Sequence, residues 1–246
     1  MLGLHCERLA DIALTPPEQD SPQGDMPEHD LAHLSPSLEL RNVSFRYGEG
    51  EGEPWILKDA NLKIDAGENV AISGPSGCGK TTLLKVMLGL LQPIQGEMLY
   101  GGVPVRQLGT VMQEDVLLTG SIADNVAFFD MTPDQQRIEA CGQLAQLHDD
   151  IVRMPMGYQT LVGELGSGLS CGQKQRLLLA RALYKQPSVL ALDEATSNLD
   201  IGNEQSVNAA LAHLSLTRVV IAHRPETIAS TQRILVLTPN GFGIAK

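Results

Sequence analysis

One eight-residue segment constrains the fold of this chain more than any other. It fits the pattern G-x-x-x-x-G-K-[ST] and consists of Gly74, Pro75, Ser76, Gly77, Cys78, Gly79, Lys80 and Thr81. An apolar run at 70–72 precedes it and a helix-like run at 82–91 follows it, which is the strand, loop and helix context of a phosphate-binding loop. Backbone N–H groups of such a loop surround a phosphate, while Lys80 would reach the β- and γ-phosphates and Thr81 would bind Mg²⁺. The segment therefore predicts a protein that binds a nucleoside triphosphate.

Two carboxylates follow a second apolar run. Residues 189–192, Val-Leu-Ala-Leu, lead directly into Asp193 and Glu194. A buried strand would deliver Asp193 beside the phosphate-binding loop, where it can hold Mg²⁺ through water, and Glu194 would polarise the water that attacks the γ-phosphate. Alone, such a run is more often a strand that ends in charged loop residues, but combined with residues 74–81 it predicts hydrolysis.

Composition limits the class of protein. The chain has 246 residues, of which 43% are apolar, enough for a real core, and a net charge of −11, which argues against nucleic acid as the main partner. No run of about 18 apolar residues exists to span a bilayer. The four cysteines lack metal-ligand spacing, and reduced thiols in a cytosolic setting fit them better than a disulfide framework. Residues 1–37 hold seven acidic residues against Arg8, a net of −6, and residues 15–37 are rich in proline, so a flexible linker is expected there.

Apolar patterns predict an α/β fold. Strands are expected over 38–45, 56–64, 68–73, 97–100, 110–113, 188–192, 218–222 and 233–237, with a closing hairpin at 239–241. Helices are expected from Lys80 to about Gly89, over 170–185 and 203–214, and from a cap at Thr132, with Pro133 as the first helical residue, to about His148. Strands that alternate with helices on either side of 114–168 predict a mainly parallel core with an inserted helical subdomain.

The segment that opens the helix at 170–185 resembles a family signature. Residues 169–173, Leu-Ser-Cys-Gly-Gln, are similar to L-S-G-G-Q of the nucleotide-binding domain of ATP-binding cassette (ABC) transporters. Other family elements follow in the expected order: Tyr47 resembles the A-loop aromatic, Gln113 the Q-loop glutamine, residues 197–200 the D-loop and His223 the switch histidine. The resemblance covers about 38–246. It implies the ABC type of P-loop NTPase fold, with an antiparallel β part beside the parallel core, a helical subdomain at about 114–168 and a signature helix at 169–185.

The resemblance also implies roles for these residues. Two chains would sandwich two ATP molecules head to tail, with ATP and Mg²⁺ as cofactors. Tyr47 would stack on adenine, although Trp55 is a second aromatic candidate, and Gln113 would bind Mg²⁺ and sense a transmembrane partner. Hydrolysis is assigned to Glu194, His223 and Lys80. Further nucleotide contacts are assigned to Thr82, Ser170, Gly172, Gln173 and Asp200.

Two cysteines lie inside these motifs. Cys171 replaces the family's glycine at the third signature position. If the backbone there needs a positive φ, the cysteine would cost about 1–3 kcal/mol of strain. If it does not, the cysteine differs from the family's glycine only in the bulk of its side chain. We expect a working but weakened site, and Cys171→Gly is expected to raise turnover. Cys78 is best interpreted as a small filler, although a thiol near a helix N-terminus can be acidified, so alkylation is expected to inhibit and ATP to protect.

Two segments favour an exporter. Residues 160–166 resemble the exporter segment T-E-V-G-E-R-G, with leucines at 161 and 165, and would place Glu164 against a membrane domain; residues 119–126 resemble the exporter stretch after the Q-loop. Residues 7–16 and 173–181 are most similar to bacterial peptide and bacteriocin exporters of the colicin V type. This implies that 1–37 is a connector from a transmembrane domain, that the chain is the ATPase domain of a longer protein at the cytoplasmic face of the bacterial inner membrane, and that the cargo is a peptide.

Two other classes of protein share some of these motifs. A DNA-repair or chromosome-type ABC ATPase would need a long coiled-coil insertion and a basic face, and only about ninety residues separate Gly79 from Ser170. An ATP-dependent dimerisation module with little turnover would follow if Cys171 disabled the signature. The carboxylate Glu194 and the imidazole of His223 argue against that second alternative.

Overall fold

The computed structural model describes residues 37–48, 52–101, 108–163, 166, 168–238 and 241–245. Strands are β1 Ser37–Phe45, β2 Leu57–Ile64, β3 Asn69–Ser73, β4 Gln95–Gly101, β5 Leu108–Val111, β6 Gly120–Ser121, β7 Leu161–Val162, β8 Val189–Asp193, β9 Thr217–Ile221, β10 Arg233–Thr238 and β11 Gly241–Ala245. Helices are α1 Lys80–Met87, α2 Ile122–Ala127, α3 Gln135–Leu144, α4 His148–Val152, α5 Cys171–Tyr184, α6 Ile201–Ala212 and α7 Pro225–Ala229, with a 3₁₀ turn at Gly157–Gln159. The expected connector, apart from Ser37, lies outside the described residues.

A six-stranded sheet forms the centre of the described domain. Its strand order is β11-β10-β3-β9-β8-β5, and every neighbouring pair is parallel except β10 with β11. All five residues of β8 and of β9 are buried, which is typical of parallel strands covered on both faces. Because parallel strands share a direction, the segments that follow β3, β8 and β9 meet at one edge of the sheet.

A second sheet packs over α1. It is antiparallel, in the order β2-β1-β4. One apolar cluster joins the two sheets through the helix: Leu40 from β1, Leu83 and Leu84 from α1, and Ile72 and Ile221 from the central sheet. The phosphate-loop helix therefore lies in a core built from both sheets. The predicted parallel core and antiparallel β part are both confirmed.

The helices α2 to α5 share a second core with the other part of the central sheet. Ile122, Ile138 and Ile151, one from each of the first three helices, are buried with Leu177 of α5 and Leu190 of β8. Helix α5 thus connects the helical part to the strand that carries Asp193. The domain boundaries at 38–246, 114–168 and 169–185 stay predictions. None of the helices in the described ranges is long and apolar enough to cross a bilayer.

The single helix predicted from Thr132 to about His148 is wrong in both bounds, because two shorter helices occupy this region. Helix α3 is capped by Asp134, whose side chain accepts a hydrogen bond from the Arg137 backbone, and it ends at Leu144. Gln146 has a φ of 55°, which is outside the helical region, so α4 begins as a separate helix at His148. A two-residue pairing of β6 with β7 and the short helix α2 were not anticipated.

Candidate functional site

The loop at 74–79 connects β3 to α1 at the carboxyl edge of the central sheet. Gly74, Gly77 and Gly79 all have positive φ, and the last of them opens α1 without a side-chain cap. The first backbone N–H groups of the helix are therefore available to an anion. The buried ammonium of Lys80 donates to the carbonyl oxygens of Gly74 and Pro75 at 3.0 and 2.9 Å, which places its charge within the loop. Ser76 and Cys78 also belong to this loop, and Cys78 is buried.

Thr81 and Asp193 meet at the start of α1. The Thr81 hydroxyl donates to Asp193 Oδ2 at 2.8 Å. Burial raises the pKa of the Asp193 carboxyl, against the smaller opposing effect of the Thr81 hydrogen bond. Hydroxyl and carboxylate oxygens are the ligands that Mg²⁺ prefers, so this pair fits the predicted metal site.

Glu194 and His223 face each other at the ends of β8 and β9. His223 Nε2 lies 3.2 Å from Glu194 Oε1. Glu194 has a φ of 53°, an uncommon conformation for this residue, and its backbone N–H donates to the Ile221 carbonyl at 3.2 Å. Such strain is often found at functional positions. Both side chains line a small open cavity of about 40 Å³ next to Thr196 and Arg224. The structure therefore brings a carboxylate and an imidazole together at the sheet edge that carries the phosphate loop.

Tyr47 rather than Trp55 lies over the phosphate-loop helix. The Tyr47 hydroxyl is 3.3 Å from Thr82 Oγ1, and its ring, which is half exposed, packs edge-on against Phe45. Trp55 stacks instead with the guanidinium of Arg46, 4.7 Å from the ring centroid. An exposed aromatic beside α1 fits the predicted adenine contact.

Gln113 is exposed in a turn that follows β5. The Asp115 carboxylate accepts a hydrogen bond from the Met112 backbone at 2.8 Å and so fixes this turn. Val111 of β5 is in register with Leu192 of β8, so Gln113 and Asp193 follow neighbouring strands at one edge. The positions of Gln113 and Asp193 at this edge support the predicted metal site, although the two side chains do not contact each other.

The signature segment caps α5. Ser170 Oγ accepts from the Gln173 backbone at 3.2 Å, and Gln173 Oε1 accepts from the Ser170 backbone at 3.0 Å, which forms a reciprocal capping box. Cys171 is the first residue of the helix, is exposed, and is not among the residues with positive φ. The strain alternative for Cys171 is therefore wrong, and only the bulk of its side chain remains. A Cβ at Gly172 would lie 3.3 Å from the Asn198 carbonyl oxygen, so this glycine allows a close approach of the D-loop.

Asp200 caps the helix that follows the D-loop. Its carboxylate accepts from the Asn203 backbone at 2.9 Å and from the Asn203 side chain at 2.6 Å, and these hydrogen bonds lower the pKa of the Asp200 carboxyl. The residue is exposed. Asp200 is thus a helix cap in the structure, and its nucleotide contact stays a prediction.

Gln175 and Arg224 hold the D-loop in place, and the sequence did not predict this role for either residue. Gln175 of α5 donates to Ser197 Oγ at 3.1 Å and accepts from the Asn198 backbone at 3.0 Å. Arg224 donates to the Ser197 and Leu199 carbonyls of the same loop and pairs with the carboxylate of Glu204. Their only sequence signal is nearness to the D-loop and to His223. Glu164, predicted to contact a membrane domain, lies outside the described residues, as does Leu165.

Comparison with known proteins places these motifs in one family. A model of the ABC transporter family matches residues 57–197. The probable microcin-H47 secretion/processing ATP-binding protein MchF of Escherichia coli is 45% identical over 245 residues, which is 96% of this chain and 34% of that protein. The colicin V secretion/processing ATP-binding protein CvaB of Escherichia coli is 44% identical with the same coverage. The chain spans about a third of the length of these relatives.

Solved structures agree with this similarity. A bacterial Atm1-family ABC exporter with ATP bound matches with a TM-score of 0.78 at 36% identity, over 86% of this chain and 38% of that chain. The match extends the similarity from the sequence motifs to the arrangement of the sheets and helices.

Proposed function

This chain belongs to the ABC transporter family, whose ATP-binding proteins are ATPases coupled to transport, and from that premise we propose that it hydrolyses Mg-ATP to power a bacterial exporter. The observation that carries the proposal is the meeting of Thr81 with Asp193, and of Glu194 with His223, at the edge that bears the phosphate loop. The comparisons support an exporter and give no support to the DNA-repair or binding-only alternatives.

Binding begins at the phosphate loop. Backbone N–H groups at the start of α1 receive the phosphates, and Lys80 exchanges its loop carbonyls for phosphate oxygens. Thr81, Asp193 and Gln113 would hold Mg²⁺, which when bound counters the charge of the phosphates. Asp193 must be ionised for this role, and its burial opposes ionisation. Tyr47 would receive the adenine ring.

Hydrolysis follows beside Glu194. In this account Glu194 orients the water and accepts its proton, while His223, 3.2 Å away, holds the γ-phosphate and the carboxylate in place. Lys80 counters the negative charge that develops on the γ-phosphate. The reaction is an in-line attack that yields ADP and phosphate.

A second copy of the chain completes each site in this proposal. Ser170 and Cys171 are exposed at the N-terminus of α5, where a partner's phosphate could approach. The D-loop residues Ser197, Asn198 and Asp200 are exposed as well. A head-to-tail dimer would bury these residues against the partner's ATP.

The membrane partner would contact an exposed apolar area formed by Phe128, Phe129 and Leu161. Phe128 and Phe129 are 50% and 44% exposed, and Leu161 of β7 is 73% exposed. Strand β7 pairs with β6, which leads into α2, so these side chains lie around one small structural unit. A transmembrane domain of the same exporter is the proposed occupant, at the cytoplasmic face of the bacterial inner membrane. The names of the two Escherichia coli relatives support a peptide or bacteriocin cargo.

The proposal is tested by Mg-ATP turnover per chain, measured against protein concentration with Glu194→Gln as the blank. A rate that rises with concentration and is lost in the blank supports hydrolysis at shared sites. A rate equal to the blank at every concentration contradicts the proposal.

A further inference from the structure

Glu204, in the first turn of α6, is a fully buried carboxylate that the proposed reaction does not use. Its exposed fraction is 0%. Glu204 Oε1 accepts from the Thr196 hydroxyl at 3.2 Å and from the Thr227 hydroxyl, and Oε2 accepts from Arg224 Nη1 at 2.8 Å. A buried carboxylate is costly unless it is paired, so these contacts fix the positions of their donors as well.

Arg224 extends this network to the D-loop. Its guanidinium donates to the Leu199 carbonyl at 2.7 Å and to the Ser197 carbonyl at 2.6 Å. One planar group therefore binds the Glu204 carboxylate and two backbone carbonyls, a fixed geometry that lysine cannot reproduce. We call Glu204, Arg224, Thr196 and Thr227 the Glu204 clamp.

The clamp residues are close in sequence and in space to the reacting groups. Thr196 lies two residues after Glu194, and Arg224 follows His223 directly. Thr196, Arg224 and Thr227 line the same cavity as Glu194 and His223. The clamp thus joins the segments after β8 and β9 to the first turn of α6.

We propose that Glu204 and Arg224 are positioning residues for ATP hydrolysis, which hold Glu194, His223 and the D-loop in one arrangement. This inference rests on the proposed function. Neither residue has a hydrogen bond to the phosphate loop or to Tyr47 in the described part of the chain, so we expect nucleotide affinity to depend on them only weakly. Their effect is on the geometry of the attack, where a displacement of about 1 Å can cost on the order of 100-fold in rate.

Glu204→Gln is the first test variant, because it keeps the size of the side chain and removes the charge that holds Arg224. We expect kcat to fall by about 10- to 100-fold while the Kd for ATP stays within about twofold. Hydrogen exchange should accelerate in the peptides that cover 195–200 and 222–227. The split between kcat and Kd separates positioning from a general loss of structure.

The matched control is Glu68→Gln. Glu68 pairs with Arg233 at 2.8 Å and is also largely buried, but it lies before β3, at the opposite end of the sheet from the phosphate loop. This variant should keep the wild-type kcat and the wild-type exchange in both peptides. If Glu204→Gln does not fold, Arg224→Lys, at a partly exposed position, is measured in its place with the same expectation.

The outcomes separate this inference from the proposed function. If wild type turns over but Glu204→Gln, or Arg224→Lys in its place, matches it in kcat and in exchange, the clamp is overturned. If wild type and Glu194→Gln both fail to hydrolyse ATP, the proposed function is overturned. Hydrogen exchange in Glu204→Gln then tests the clamp by itself: faster exchange confined to the two peptides supports the clamp, and unchanged exchange overturns it.

Discussion

Two glycines of the phosphate loop should respond differently to the same substitution. Gly74 and Gly77 both have positive φ, at 152° and 76°. A Cβ added at Gly77 meets no atom within 4 Å, whereas a Cβ at Gly74 would lie 2.3 Å from the Leu237 carbonyl oxygen and 3.0 Å from Cys78 Sγ. We therefore expect Gly77→Ala to cost backbone strain alone and Gly74→Ala to cost strain and a clash.

The magnitudes follow from these contacts. Left-handed backbone costs a residue with a Cβ about 1–2 kcal/mol, which is the whole loss of unfolding free energy expected for Gly77→Ala. A clash with a fixed backbone carbonyl adds about 1–3 kcal/mol, so Gly74→Ala should lose about 2–5 kcal/mol. At about 2–4 °C per kcal/mol for a domain of this size, the two melting temperatures should differ by at least about 2 °C.

Thermal denaturation without nucleotide, followed by circular dichroism, measures this difference directly. Wild type and the two variants are compared in one buffer, and urea unfolding supplies the free energies. Equal losses for the two variants, or a larger loss for Gly77→Ala, would refute the reasoning, because the only structural difference invoked is the space around the added Cβ.

Three further predictions concern the nucleotide contacts. Tyr47→Ala should weaken ATP binding by about 1–3 kcal/mol, the usual value of one stacked base. Trp55→Ala should stay near wild type, and both affinities are measured by isothermal titration calorimetry because Trp55 is the only tryptophan of the chain. The opposite order would make Trp55 the stacking residue. Burial raises the pKa of Asp193 in the folded protein above its value in the unfolded chain, so ionisation of this carboxyl destabilises the fold as pH rises above the unfolded-state pKa. Asp193→Asn should therefore raise the melting temperature of the nucleotide-free protein at neutral pH. This gain in melting temperature should shrink towards acid pH, where Asp193 is protonated in both states. A gain that grows on acidification would contradict this. Cys171→Gly should raise turnover by removing bulk at the exposed start of α5, and an unchanged rate would show that the cysteine is tolerated.

The phosphate loop and the two carboxylates could be predicted from the sequence because the residues that form each of them are consecutive in the chain. The loop glycines, Lys80 and Thr81 are adjacent, and Asp193 ends an apolar strand whose burial is visible in the sequence. The parallel core followed from alternation of strands and helices. These features depend on neighbours along the chain, which a single sequence displays.

Elements that depend on distant residues were not predicted. The β6 and β7 pair has two residues in each strand, too few for any periodicity. The end of α3 depends on the left-handed Gln146, a residue type with no strong preference for that conformation. The helix α3 is capped by Asp134 rather than by the predicted Thr132.

The residues that hold the D-loop were also invisible in the sequence. Gln175 and Arg224 bind backbone carbonyls and amides more than twenty residues away, so no local pattern announces them. Glu204 looks like an ordinary acidic residue in the first turn of a helix, where it would be expected to face solvent. Its complete burial could be seen only once the helices and strands were assembled.

Complementation between two inactive variants tests the central claim, a site shared by two chains, most directly. Glu194→Gln lacks the water-orienting carboxylate and Ser170→Arg blocks the signature, so each should be inactive alone after its folding is verified. In an equimolar mixture, half of the dimers combine the two variants and contain one intact site out of two, so turnover should recover to about a quarter of wild type. A mixture that stays at the level of the separate variants would contradict the shared site.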